Sequence, residues 1–238
     1  LGLSDKEFFK QSIPKIKKIS EKHDKWYGIS IMLSNHTPFS DVERYGEYNV
    51  DIKGTVTKED GTQEEVTYPY MEGTKLGNYF KSLHYADSAL GEFINELDEA
   101  GLLDNTVIVL YGDHDARLPR SEYNKLYNYN METHEFLTED DPNYKEYDSF
   151  QYEVGRRVPF IIWTKDSKGN EKLNREITDV MGMYDVMSTL GNMLGFSNKY
   201  ALGHDIFNIK NNNIVVFPNG NWVTNKMYYN SQKEAYLS

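Results

Sequence analysis

Apolar positions along this chain switch repeatedly between helical and strand spacing. Ser4 followed by Glu7 has the spacing of a capping box. Phe8, Phe9, Ile16 and Ile19 then recur as on one helix face, which Pro14 would kink or split in two. Tyr27 to Leu33 (YGISIML) is a short apolar run that closes on Ser34-Asn35-His36, the pattern of a buried strand ending in a loop. Positions 40–75 are polar and turn-rich, and Asp60-Gly61, flanked by Thr and Val at alternate positions, predicts a hairpin or a mobile insertion. From Tyr79 onward, Phe80, Leu83, Leu90, Phe93, Ile94 and Leu97 recur at helical spacing, with Gly101 where a C-cap is wanted.

Thr106 to Tyr111 (TVIVLY) is unbroken and rich in β-branched residues, which predicts a strand buried on both faces of a parallel sheet. Gly112-Asp113-His114-Asp115 follows it directly. Positions 121–150 are acidic and tyrosine-rich without a period, and read as a surface loop; Val158 to Thr164 (VPFIIWT) then predicts another internal strand. A helix from about Asp179 to Leu194 places Val180, Met183, Met187, Leu190 and Leu194 on one side and is closed by Gly195. Ile214 to Phe217 and Trp222 to Tyr229, joined by Pro218-Asn219-Gly220-Asn221, make a terminal hairpin. Strands alternating with helices of this length predict an α/β fold: a mainly parallel sheet flanked by helices, with a small C-terminal antiparallel hairpin.

Composition narrows the picture. With 238 residues, 39% of them apolar, the chain is large enough for one sizeable core and is not a disordered tail. No run approaches the roughly 18 apolar residues of a membrane span, and positions 1–25 show no charged-then-apolar export signal. The first segment reads as the middle of a fold, so missing upstream sequence is expected, which leaves open a lost anchor or export signal. Cysteine is absent, which leaves oxygen and imidazole as the ligands for any metal. A net charge of -11 makes polyanionic nucleic acid a poor partner, and an anionic substrate would need a bound cation to offset this field locally.

In open α/β sheets, ligands collect at the carboxyl ends of the strands, where Asp113 and His114 stand. Gly112 lets the backbone turn sharply so that the two side chains converge. A carboxylate oxygen beside a neutral imidazole nitrogen suits manganese, zinc or a similar divalent ion. From the residues alone such a pair is more often a hydrogen-bonded structural cap than a ligand set. It supplies two strong ligands, with Asp115 as an outer partner, where a catalytic site usually has at least three, so the rest must come from elsewhere. His36 follows another apolar run and would lie on the same rim, although a lone histidine there is usually a satisfied polar group. Arg117, Arg120, Arg156 and Arg157 could meet an anionic headgroup, yet arginines in a charged loop are usually solvated. His204 reads as a surface turn, and Trp222 and Tyr228 as packing residues.

Asn105 to His114 (NTVIVLYGDH), Ser34 to Phe39 (SNHTPF), Arg157 to Phe160 (RVPF), the 179–195 helix, Gly203 to Phe207 (GHDIF) and Val216 to Gly220 (VFPNG) fall in a familiar order and spacing. Together they resemble the lipoteichoic acid synthase and phosphoglycerol transferase family of the alkaline phosphatase/sulfatase superfamily, over nearly the whole chain. The resemblance implies that Asp113 and His114 bind manganese or another divalent cation and that His36 contacts the substrate phosphate. It also implies that positions 1–238 are the C-terminal part of a single sulfatase-like catalytic domain whose N-terminal part is absent. That part would carry a threonine nucleophile and an acidic ligand to the same metal, so this half alone would be inactive. The implied activity is phosphoglycerol transfer from a phosphatidylglycerol-type lipid in lipoteichoic acid or related glycopolymer synthesis. Its partners would be an anionic phospholipid headgroup and a glycerol-phosphate polymer or glycolipid acceptor. The expected place is the extracellular face of the bacterial membrane, held by segments outside this chain. The competing readings are a sulfatase or phosphodiesterase of the same superfamily and a non-catalytic glycopolymer-binding domain. Where the family often has Tyr-Gly after the metal histidine, this chain has Asp115-Ala116.

Overall fold

Ser4 opens the first helix, α1 (Asp5–Ser20), its hydroxyl accepting from the Glu7 backbone N–H at 3.5 Å, in a computed structural model that describes residues 2–165, 174–209 and 213–237. The chain divides into two units, Leu1–Asp166 and Ser167–Ser238.

In the first unit Pro14 lies inside α1 without dividing it. The helix packs on α2 (Lys75–Glu99), where Phe9 and Phe93 stack at 4.2 Å between ring centroids. α2 starts a turn earlier than its apolar period, because the Thr74 hydroxyl caps it by accepting from the Gly77 N–H at 2.9 Å. Among its buried positions Ser82, Ala86 and Ala89 are small and share one helix face. Of the hairpin and the mobile insertion that the 40–75 stretch allowed, the hairpin forms: β1 (Ile52–Thr57) and β2 (Gln63–Tyr68) pair antiparallel. The Asp60 carboxylate holds the turn by accepting from both the hydroxyl and the N–H of Thr62, which keeps its pKa below the ordinary carboxylate value.

Three expectations are corrected in this unit. The YGISIML segment is not a strand: Tyr27, Ile29, Ile31 and Leu33 are 81%, 68%, 67% and 61% exposed, and no ladder partner lies beside them among the described residues. A strand needs a partner for its N–H and C=O groups, and an apolar run alone does not supply one. β3 (Val107–Tyr111) does form, but it pairs antiparallel with β6 (Phe160–Thr164), Val107 opposite Thr164 and Tyr111 opposite Phe160. Every strand pair among the described residues is antiparallel. Both faces of the β3–β6 ribbon keep exposed apolar side chains, Val107 and Tyr111 on one and Ile161 and Trp163 on the other.

The presumed surface loop is structured as α3 (Arg120–Tyr127), β4 (Tyr129–Asn130), β5 (Glu135–Phe136) and α4 (Ser149–Gly155). Asparagines organise it. Asn128 is 2% exposed, donates to the carbonyls of Asn124 and Lys145 and accepts from the Lys145 N–H, while Asn124 accepts from Tyr147. Tyr147 stacks on both Tyr123 and Tyr127. Side-chain bonds to backbone of this kind follow no period, so pattern reading passes over them. Phe39, Val50, Met71, Leu76 and Leu118 form the buried cluster of this unit.

In the second unit α5 (Asp185–Leu194) ends at Gly195 in the left-handed region, φ +74°, as expected. It starts later than the apolar period because Asp185, fully buried, accepts from the N–H groups of Gly182 and His204 and from the Asn213 amide, tying the preceding turn into a knot. The terminal hairpin is larger than expected. β7 (Val215–Val216), β8 (Trp222–Val223), β9 (Tyr228–Asn230) and β10 (Ala235–Leu237) make a four-stranded antiparallel sheet in the order β10-β9-β8-β7. Tyr228 is buried and Trp222 packs against Tyr229 and Tyr236, the packing roles expected of them. Among the described residues no helix is long and apolar enough to cross a membrane.

Candidate functional site

Two loops of the first unit carry the chemistry. The first leaves β3 through Gly112, which is not in the left-handed region; it is needed for close approach instead. A Cβ there would lie 2.7 Å from Val158 Cβ, and its N–H donates to the Pro159 carbonyl at 3.1 Å. Asp113, His114 and Asp115 then leave the ribbon end, and Leu118, 1% exposed, returns the chain to the core.

The second loop carries His36. Asp5, 2% exposed in the first turn of α1, accepts from the N–H groups of Leu33 (2.9 Å) and Ser34 (3.1 Å), while its own N–H donates to Ser34 Oγ. Beyond His36 the Thr37-Pro38 bond is cis, and Phe39, at φ +61°, is buried in the same cluster as Leu118. Each loop is therefore anchored by one apolar residue in a shared core. The His36 and His114 rings meet edge to face, 5.5 Å between centroids.

Both rings have a defined tautomer. His36 Nδ1 lies 2.7 Å from the Thr37 carbonyl and His114 Nδ1 lies 2.6 Å from the Asp115 carbonyl. A carbonyl oxygen only accepts, so each Nδ1 donates, and in the neutral ring the lone pair is on Nε2. Asp113, 75% exposed, has Oδ1 3.8 Å from His114 Nε2, beyond hydrogen-bond length, which leaves that lone pair open. One carboxylate and two imidazole nitrogens suit a divalent cation in chemistry. Among the described residues, however, no three His, Cys, Asp or Glu side chains come close enough to hold one, so the set is partial.

Asp115 has a part of its own. Its side chain is 10% exposed; Arg156 Nε donates to Oδ1 at 3.1 Å, a terminal nitrogen of the same guanidinium lies 3.1 Å from that oxygen as an ion pair, and the Arg117 N–H reaches Oδ2 at 3.0 Å. Burial would lower the Arg156 pKa, but the hydrogen bond and charge of Asp115 more than offset this and hold it above its ordinary value. Arg120 is likewise occupied, paired with Glu146 and donating to Ser149. His204, 71% exposed, stands on the surface of the second unit as expected. A cleft of about 250 Å³ lined by Tyr127, Lys145, Glu146, Tyr147 and Gln151 contains none of the histidines. Sequence reasoning missed Asp5 and the Asp115–Arg156 pair, since no local spacing links residues so far apart along the chain.

A sulfatase family model matches residues 1–196. Lipoteichoic acid synthase 1 of Bacillus subtilis (strain 168) is 35% identical over 230 residues, 95% of this chain and 29% of that protein. The lipoteichoic acid synthase of Staphylococcus saprophyticus is 32% identical over 231 residues, 96% of this chain and 30% of that protein. The chain thus spans under a third of the length of these curated relatives. Among solved structures, the lipoteichoic acid synthase LtaP from Listeria monocytogenes superposes with a TM-score of 0.64 at 27% identity, over 97% of this chain and 50% of that one. An alkaline phosphatase superfamily protein from Vibrio parahaemolyticus gives 0.54 at 17% identity, over 99% of this chain and 49% of that one, a likeness of fold. A chain that the family model matches over most of its length, and that folds as an α/β protein of the alkaline phosphatase type with synthase relatives along nearly its whole extent, belongs to the sulfatase family.

Proposed function

We propose that residues 1–238 form the C-terminal part of a single sulfatase-like catalytic domain. It transfers phosphoglycerol from a phosphatidylglycerol-type lipid to a glycerol-phosphate polymer or glycolipid in lipoteichoic acid or related glycopolymer synthesis. Its place is the extracellular face of a bacterial membrane, anchored by segments outside this chain. The observation that carries the reading is the meeting of His36 and His114, each with Nε2 open, beside Asp113, in a chain similar to lipoteichoic acid synthases.

Enzymes of this family generally depend on a divalent cation. Asp113 and His114 would hold it here, manganese or a similar ion, with further ligands from the rest of the domain; bound there it neutralises charge on phosphoryl oxygens. In its doubly protonated form His36 would donate from Nε2 to one phosphate oxygen, holding or protonating it. The nucleophile is a threonine outside these residues. Its hydroxyl attacks phosphorus, diacylglycerol leaves with a proton, and the acceptor hydroxyl then takes the phosphoglycerol group from the threonine.

The test is manganese binding by calorimetry and release of diacylglycerol from labelled phosphatidylglycerol, in the full-length protein and in His114→Ala. Binding and turnover in the parent, with both lost in the variant, support the reading. Metal binding without lipid turnover would move the protein to a sulfatase or phosphodiesterase role. No metal binding would leave a glycopolymer-binding role.

A further inference from the structure

We infer that Asp115 and Arg156 form a positioning pair that sets the tautomer and orientation of the His114 ring. The inference deepens the proposed function, since it is as a metal ligand that His114 needs an unprotonated Nε2.

The carbonyl that accepts from His114 Nδ1 belongs to Asp115, so whatever fixes that residue fixes the proton on His114. Asp115 is held at both carboxylate oxygens. Arg156 Nε donates to Oδ1, with a terminal guanidinium nitrogen beside it as an ion pair, and the Arg117 N–H donates to Oδ2, with the carboxylate itself nearly buried. Arg156 is in turn pinned at the end of α4: Glu153 pairs with it at 3.3 Å, and its guanidinium lies 6.0 Å from the Tyr152 ring centroid. Tyr152 closes the brace by donating to the Leu118 carbonyl at 2.9 Å. α4 therefore grips the loop at Asp115 and again at Leu118, on either side of the turn at Arg117, φ +52°. A planar guanidinium fixes the direction of its Nε–H, so this bond restrains the carboxylate in a way a single point charge does not. With the Asp115 carboxylate locked, its own backbone has little freedom, and the carbonyl stays aimed at Nδ1. Neither residue is in the proposed donor set.

The experiment reads the ring nitrogens directly. Nitrogen-15 spectra of His114 in the metal-free full-length protein, in alkaline buffer where an ordinary imidazole is neutral, are expected to show one tautomer, protonated at Nδ1. Arg156→Ala is expected to mix the two tautomers and to weaken manganese binding by about 10-fold, in the range seen for outer-shell partners. Arg156→Lys, which keeps the charge but not the oriented Nε–H donor, is expected to restore neither fully. If Arg156→Ala does not fold, as judged by circular dichroism, Asp115→Asn takes its place, with the same mixing expected. An unchanged His114 tautomer in a folded variant, or full restoration by lysine, overturns the positioning role. Mixed tautomers with unchanged manganese affinity uphold the brace and sink His114 as a metal ligand, so the two failures are distinct.

Discussion

The His36 ring lies edge-on to the His114 ring at 5.5 Å, although one follows an irregular exposed segment and the other a strand. What joins them is the core beneath. Phe39 and Leu118, just beyond the two histidines, are 3% and 1% exposed in one cluster with Met71 and Leu76.

Leu118→Ala removes one of these anchors. Truncating a buried leucine costs about 2–5 kcal/mol, part of it for the cavity left behind. The urea midpoint is expected to fall accordingly, and manganese binding to weaken as the His114 loop loosens. A change in stability below about 0.5 kcal/mol, the level of an ordinary surface substitution, would dismiss Leu118 as an anchor.

Asp5→Ala strips the acceptor from two backbone N–H groups. Leaving a buried donor unpaired costs about 1–3 kcal/mol. Hydrogen exchange at the Leu33 and Ser34 amides is expected to accelerate more than at amides of α2, because Asp5 accepts from those two groups. Equal acceleration everywhere would mean that Asp5 stabilises the fold without holding the His36 loop.

Gly112→Ala places a methyl 2.7 Å from Val158 Cβ, closer than real side chains approach. Overpacking of this kind costs about 1–3 kcal/mol. Thermal denaturation is expected to show the loss, and adding Val158→Gly, which removes the opposing atoms, to recover part of it. If the double variant is no more stable than Gly112→Ala alone, the close approach is not what the glycine serves.

Tyr123 is the alkaline weak point. Burial, followed by the nearby Asp115 charge, pushes its phenol up to about 12, above the value near 10 of an unfolded tyrosine. A pKa higher in the folded than in the unfolded state favours the neutral phenol in the fold. The stabilisation is therefore complete below about pH 10 and is lost as the pH rises through about 12. Tyr123→Phe is expected to move alkaline unfolding to higher pH and to remove one late step from the phenolate absorbance titration. An unchanged alkaline midpoint would show that ionisation of Tyr123 does not drive the loss.

The α/β class, the α2 and α5 helices, the 52–68 hairpin and the placing of Asp113 and His114 at a strand end were legible in the sequence, because each rests on local period or turn chemistry. Strand partners were not. The composition of β3 reads as a strand covered on both sides, but direction and coverage depend on which segment lies alongside, and β6 lies antiparallel with both ribbon faces still partly exposed.

By itself the sequence determined which residues could do chemistry here: an acidic chain without cysteine, with Asp113, His114 and His36 following apolar runs in family order. Only the tertiary structure decided that the two histidines meet, that each Nε2 is open and that Arg156 holds Asp115. The physical reason is range. Period and capping act within a few residues, whereas the burial of Phe39 with Leu118 and the locking of Asp115 by α4 join segments that no local rule connects.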